Sequence, residues 1–113
     1  MTLQIDQITP GLGAEIRGVN LAQPLLPDQI EQIKQAFLDH MVLVFRDQDL
    51  SREQHKSFAR QFGEVHIHPS KRGGMSRPDP NIDVEIFLID TKPDAKLTNG
   101  EAWHSDVSCE VIP

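Results

Sequence analysis

An α+β fold is predicted from three features of the sequence. Two short alternating segments open the chain, two stretches of helical periodicity follow, and loops rich in Gly and Pro separate further short apolar runs. The order reads ββαβαβ, a long loop, a strand, a second loop and a last strand. That is a mixed pattern rather than a helical bundle. At 113 residues the chain has room for one domain at most.

Each element follows from local signals. Leu3-Gln4-Ile5-Asp6-Gln7-Ile8 alternates with a two-residue period and is expected to be a strand, broken by Thr9-Pro10-Gly11. Ala14 to Val19 is expected to be a second strand, with Gly13 and Gly18 as bends. Pro27 suits the first turn of a helix, where its missing N–H costs nothing, and Asp28 suits the positive end of the helix dipole. Ile30, Ile33, Phe37 and Met41 then recur at helical spacing, which predicts a helix over roughly 28–40. Met41-Val42-Leu43-Val44-Phe45 is too short for another helix and reads as a strand buried on both faces.

After the polar turn Arg46-Asp47-Gln48-Asp49, Ser51 and Gln54 have the spacing of a capping box. Phe58, Ala59 and Phe62 supply the apolar face of that second helix, and Gly63 is a natural stop. Glu64 to His68 alternates like a strand up to Pro69. Residues 70–81, rich in Gly, Pro and charge, are expected to be a loop, and Val84 to Ile89 is expected to be a strand. Thr91 to Gly100 is a polar loop, and Trp103 to Val107 returns to strand character.

Composition excludes several classes. The net charge of −6 argues against a nucleic-acid binder, which normally carries a basic face. No apolar run approaches the ~20 residues of a membrane-spanning helix. The opening MTLQIDQITP lacks the basic and apolar regions of a secretory signal, so a cytoplasmic location is expected. One Cys leaves no internal disulfide framework. The charge is unevenly spread: residues 51–80 hold 6 basic and 3 acidic side chains, whereas the flanking thirds are acidic. The basic middle is either a solvated face or a local attractor for an anionic ligand.

The chemically informative segment is Trp103-His104-Ser105-Asp106-Val107. On a strand, residues i and i+2 face the same way, so His104 and Asp106 would project side by side. An imidazole nitrogen and a carboxylate oxygen so placed are half of the two-His, one-carboxylate triad that leaves open positions on non-haem Fe(II). The same triplet also occurs as a plain surface pair on an edge strand. His66 and His68 offer a different arrangement, in which His-x-His and His-x-Asp together make a four-ligand site for another metal. His40, at a helix end where a cation complements the dipole, and His55, among polar neighbours, read as structural or solvated. Cys109 reads as a small hydrophobe.

Four segments in order resemble the N-terminal part of the taurine dioxygenase family, which also includes aryloxyalkanoate and alkylsulfatase dioxygenases. They are Gly13 to Leu21, Phe45-Arg46-Asp47-Gln48, Gly63 to Pro69, and Trp103 to Val107. The resemblance implies an Fe(II)- and 2-oxoglutarate-dependent dioxygenase on a double-stranded β-helix (jelly-roll) core. It implies that His104 and Asp106 are the first two iron ligands, and that His68 contacts an anionic group of the substrate. Asn99 and Val107 would lie on the substrate side. The implied partners are a small anionic organic substrate, 2-oxoglutarate and dioxygen, with succinate and CO2 released and a homo-oligomer left open. Taurine-binding members carry a Tyr where this chain has Lys71, so a sulfonate, sulfate ester or carboxylate other than taurine is expected.

By the same resemblance, the third metal ligand and the residues that hold 2-oxoglutarate belong beyond Pro113. Residues 1–113 would then be the N-terminal portion of one dioxygenase domain, truncated after the first metal-ligand strand and inactive alone. A non-catalytic α/β binding module and a truncated remnant are the alternative readings.

Overall fold

Residues Gln4–Gln7 form β1 and residues Ala14–Arg17 form β2, paired antiparallel with Gln4 opposite Arg17 and Gln7 opposite Ala14. The turn between them is closed by local polar groups. Ile8 N–H donates to Gly13 O at 2.9 Å, and the Thr9 hydroxyl bonds to both the N–H and the carbonyl of Leu12. Gly13 sits at φ +91°, in the left-handed region that a side chain resists. The computed structural model describes residues 2–67, 83–86, 88–98, 101–106, 108 and 111.

Helix α1 runs over Pro27–His40 and α2 over Arg52–Arg60, close to the spans read from periodicity and capping. Pro27 occupies the first turn of α1 as expected. Gln29 Oε1 accepts from Leu26 N–H at 3.0 Å, which is half of a capping box. The box at α2 is complete: Gln54 N–H donates to Ser51 Oγ at 3.2 Å, and Ser51 N–H donates to Gln54 Oε1 at 2.9 Å. α1 is the crossover that lets Leu43–Val44, strand β3, pair parallel to β2, giving the sheet order β1-β2-β3.

Leu3, Ile16, Ile33 and Ala36 form the buried centre between sheet and helix. Val19, Leu25, Leu43, Phe45 and Phe58 pack around it. Phe58 meets Phe45 and Phe62 edge to face, with ring centroids 5.8 and 5.2 Å apart. Among the described residues, no helix is long and apolar enough to cross a membrane.

Four strand expectations are corrected. The run Met41–Phe45 contributes only Leu43–Val44 to the sheet, and these are half-buried while Met41 and Val42 are exposed. The cause lies at the end of α1. Met41 N–H closes the helix onto Phe37 O at 2.8 Å, and Val42 N–H turns back to His40 O at 2.8 Å. This tight turn puts Met41 at φ 66° and consumes the first two residues of the run. Residues 64–67 form no strand, and His68 lies outside the described residues.

The span 84–89 is not a strand either: residues 84 and 85 lie in a turn, 86 and 88–89 have no regular structure, and Phe87 lies outside the described residues. Here the Asp83 carboxylate accepts from Glu85 N–H at 3.1 Å, and Ile86 N–H donates to Asp83 O at 3.3 Å. That Asx turn takes the donors a strand would need. Residues 103–106 are likewise irregular.

Candidate metal centre

The segment that carries His104 is shaped by short-range polar bonds rather than by a sheet. Thr98 N–H and Oγ1 both bond to Glu101 Oε2, at 2.7 and 3.1 Å, and Glu101 N–H returns to Thr98 O at 3.4 Å. Three residues after Glu101, His104 Nδ1 lies 2.7 Å from the carbonyl oxygen of Ala102. The opposite ring nitrogen, Nε2, lies 3.3 Å from Asp106 Oδ1.

His104 and Asp106 are therefore side by side, as the spacing predicts, but on irregular backbone with Asp106 in a turn and not through strand alternation. Both face solvent, and Asp106 is 92% exposed. The donor set suits a divalent first-row metal: one imidazole nitrogen and one carboxylate oxygen. Bonds of roughly 2.0–2.2 Å from such donors to one ion put adjacent donors about 3 Å apart, close to the separation observed. Among the described residues no third His, Cys, Asp or Glu joins them.

The other expected site residues, His68, Asn99 and Val107, lie outside the described residues, as do Lys71 and Cys109. His66 is exposed, and the four-ligand arrangement it would share gains no cluster among the described residues. His55 is exposed on α2, and His40 ends α1, where its carbonyl accepts from Gly13 N–H at 2.9 Å.

Two ionic arrangements went unnoticed in the sequence. In the first, the buried carboxylate of Glu15 on β2 bonds to Arg17 Nε at 2.7 Å and to Arg46 Nε at 3.0 Å. The hydrogen bond from Arg17, then that from Arg46, holds the Glu15 carboxyl below its ordinary range. Gln48 completes this join. It donates to Val19 O at 3.2 Å and to Arg46 O at 3.1 Å, and accepts from Leu21 N–H at 2.9 Å. Two of the family-like segments, 13–21 and 45–48, are thus bonded to one another.

In the second, Lys56 of α2 is only 8% exposed and bridges Glu53 Oε1 at 2.9 Å and Asp83 Oδ2 at 2.8 Å. Asp83, then Glu53, raises the Lys56 ammonium, and Lys56 lowers Asp83. One turn along, Arg60 grips both oxygens of Glu85 at 3.0 and 2.8 Å. The i, i+4 cations of α2 thus match the i, i+2 anions of 83–86. That complementary spacing was the signal available in the sequence.

Comparison with known proteins places this geometry in context. The profile described as "Taurine catabolism dioxygenase TauD, TfdA family" matches residues 4–113. The chain is 33% identical over 107 residues to an alkylsulfatase of Acinetobacter baylyi, covering 94% of this chain and 31% of that protein. It is 30% identical over 118 residues to an alpha-ketoglutarate-dependent sulfonate dioxygenase of Saccharomyces cerevisiae, covering 98% and 28%. It is 30% identical over 109 residues to an alpha-ketoglutarate-dependent sulfate ester dioxygenase of Pseudomonas putida, covering 96% and 33%.

Among solved structures, a taurine dioxygenase from Burkholderia xenovorans aligns with TM-score 0.57 and 38% identity, over 67% of this chain and 28% of that one. The protein AAD-2, in complex with Mn(II) and N-oxalylglycine, aligns with TM-score 0.57 and 35% identity, over 58% and 23%. The chain spans about a third of the length of the curated relatives it matches.

Proposed function

The chain belongs to the taurine catabolism dioxygenase TauD, TfdA family, and from that membership we propose that it contributes the first two iron ligands of an Fe(II)- and 2-oxoglutarate-dependent dioxygenase. The observation that carries the reading is the 3.3 Å approach of His104 Nε2 to Asp106 Oδ1 within the family match. In this reading residues 1–113 are the N-terminal portion of one dioxygenase domain with a jelly-roll core. The third ligand and the 2-oxoglutarate-binding residues come from outside residues 1–113.

The residues divide the work. His104 and Asp106 would hold the metal together with the third protein ligand, and iron(II) so held would offer its open positions to cosubstrate and dioxygen. The chemistry supplied when iron(II) is bound is oxidative decarboxylation of 2-oxoglutarate to succinate and CO2, coupled to hydroxylation of a substrate C–H bond. His68 receives the anionic group of the substrate, and Asn99 and Val107 line the same side. The substrate is a small sulfonate, sulfate ester or carboxylate. The support is the activities of the relatives, which include sulfonate, sulfate ester and phenoxypropionate dioxygenases. Lys71 in place of a Tyr weighs against taurine as the substrate in this reading.

A chimera in which this chain replaces the matching residues of the Pseudomonas putida sulfate ester dioxygenase tests the reading. Succinate release that depends on Fe(II), 2-oxoglutarate and an alkyl sulfate or sulfonate is expected. His104→Ala and Asp106→Ala should each abolish it. Unchanged turnover in a folded Asp106→Ala chimera would remove the ligand assignment. His68→Ala should raise the substrate KM more than it disturbs 2-oxoglutarate binding, and an equal loss of both would assign His68 a structural role.

A further inference from the structure

We propose that the backbone carbonyl of Ala102 fixes His104 in the Nδ1–H tautomer and so presents Nε2 as a bare electron-pair donor toward Asp106 before any metal arrives. The inference deepens the metal reading and rests on it for its purpose, though not for its test.

The argument starts from what each atom can do. A carbonyl oxygen only accepts hydrogen bonds. At 2.7 Å from Ala102 O, Nδ1 of His104 must therefore carry the hydrogen. In a neutral imidazole the other nitrogen then has none, and which nitrogen is bare is set by the hydrogen bond its partner makes. Nε2 lies 3.3 Å from Asp106 Oδ1, which is also an acceptor.

Two arrangements compete for the ring proton. With the proton on Nε2, His104 would have only the 3.3 Å approach to Asp106 and would lose the 2.7 Å bond to Ala102. With the proton on Nδ1, the shorter bond is kept and two electron-rich atoms lie 3.3 Å apart. The shorter, better-matched bond favours the second arrangement. Its residual repulsion is relieved by a cation between Nε2 and Oδ1. The pair is therefore built to gain from a metal. A carbonyl partner behind a metal-binding His orients the ring and fixes its tautomer in just this manner.

Ala102 is on this view a positioning residue that acts through its main chain. Sequence pattern gives no sign of it, because any residue at 102 supplies the same carbonyl.

The test is long-range 1H–15N correlation spectroscopy on the 113-residue chain labelled at its histidines, at a pH where the imidazoles are neutral. His104 is assigned by the signal lost in His104→Gln. His104 is expected in the Nδ1–H form, the reverse of the Nε2–H form that unconstrained histidine favours in water. Asp106→Ala removes the competing acceptor and should leave the Nδ1–H form in place, and Ala102→Gly, which keeps the carbonyl, should do the same. Zn(II), used as a diamagnetic probe, should shift Nε2 and leave Nδ1–H intact.

An Nε2–H form in the unmodified chain would overturn the proposal. So would a switch to Nε2–H in Asp106→Ala, or a Zn(II)-induced shift confined to Nδ1. Zn(II) that shifts neither nitrogen, with Nδ1–H present, would uphold the tautomer and count against the metal reading instead.

Discussion

The Glu15 carboxylate accepts from Arg46 Nε at 3.0 Å across 31 positions of sequence, and from Arg17 Nε at 2.7 Å on its own strand. This places a buried carboxylate on β2 between two guanidinium groups and makes the fold sensitive to acid. The folded-state Glu15 carboxyl lies below its ordinary value of 4.5. Its contribution is therefore complete above that value and lost as pH falls through the lower folded value. Thermal unfolding followed from pH 7 to pH 3 should show falling Tm below about pH 4.5. Glu15→Gln should start lower at neutral pH and lose less on acidification. Parallel curves for the two proteins would show that Glu15 is not the linked group, although Asp83, lowered by Lys56, contributes in the same direction.

Lys56 is expected to be the anchor of residues 83–86. Lys56→Met keeps the buried stem and removes the ammonium that bridges Asp83 and Glu53. Amide exchange at Glu85 and Ile86, whose N–H groups are held by Asp83, should rise several-fold, while α2 keeps its helical circular dichroism. Exchange that is unchanged at those two amides would mean the Asx turn stands without the ion pair.

Ile33 is 1% exposed at the centre of the core. Ile33→Ala should destabilise the fold by about 2–5 kcal/mol, the cost of lost burial plus a cavity. Ser51→Ala removes the acceptor of Gln54 N–H at the start of α2 and should cost about 1 kcal/mol. Denaturant titration orders the two, and a larger loss for Ser51→Ala would contradict the placement of the core.

Met41 is the reverse case. At φ 66° a side chain is in the left-handed region, and it is exposed. Met41→Gly should stabilise by about 1 kcal/mol, because only glycine adopts that region without a steric penalty. A loss of stability would mean that the Met41 side chain packs in a way its exposure does not reveal.

What the sequence made legible follows from the range of each interaction. The two helices are set by signals inside a few residues, the Pro27 start and the Ser51–Gln54 box, and both appear where those signals place them. β1 and β2 follow from alternation on either side of Gly13. The stretch Val84 to Ile89 misleads because its apolar alternation competes with Asp83, which turns the backbone locally and is held by Lys56 27 residues away. Met41–Phe45 misleads because the turn ending α1 takes its first residues. At the candidate site, the His104–Asp106 pair was legible from spacing alone, though the reason offered for it, a strand, is not how the two meet. The Ala102 carbonyl was invisible, since main-chain acceptors leave no mark on composition.

The central claim is that His104 and Asp106 together hold a divalent metal. It is tested most directly by Mn(II) titration of the 113-residue chain, followed by electron paramagnetic resonance of the free ion. Mn(II) is apt because the related AAD-2 structure contains it. Weak saturable binding is predicted, with two ligands from this chain. His104→Ala and Asp106→Ala should each lower the affinity on the order of tenfold or more, at least the cost of losing an outer-shell partner. Binding that is equally strong in both variants would place the metal elsewhere and contradict the account.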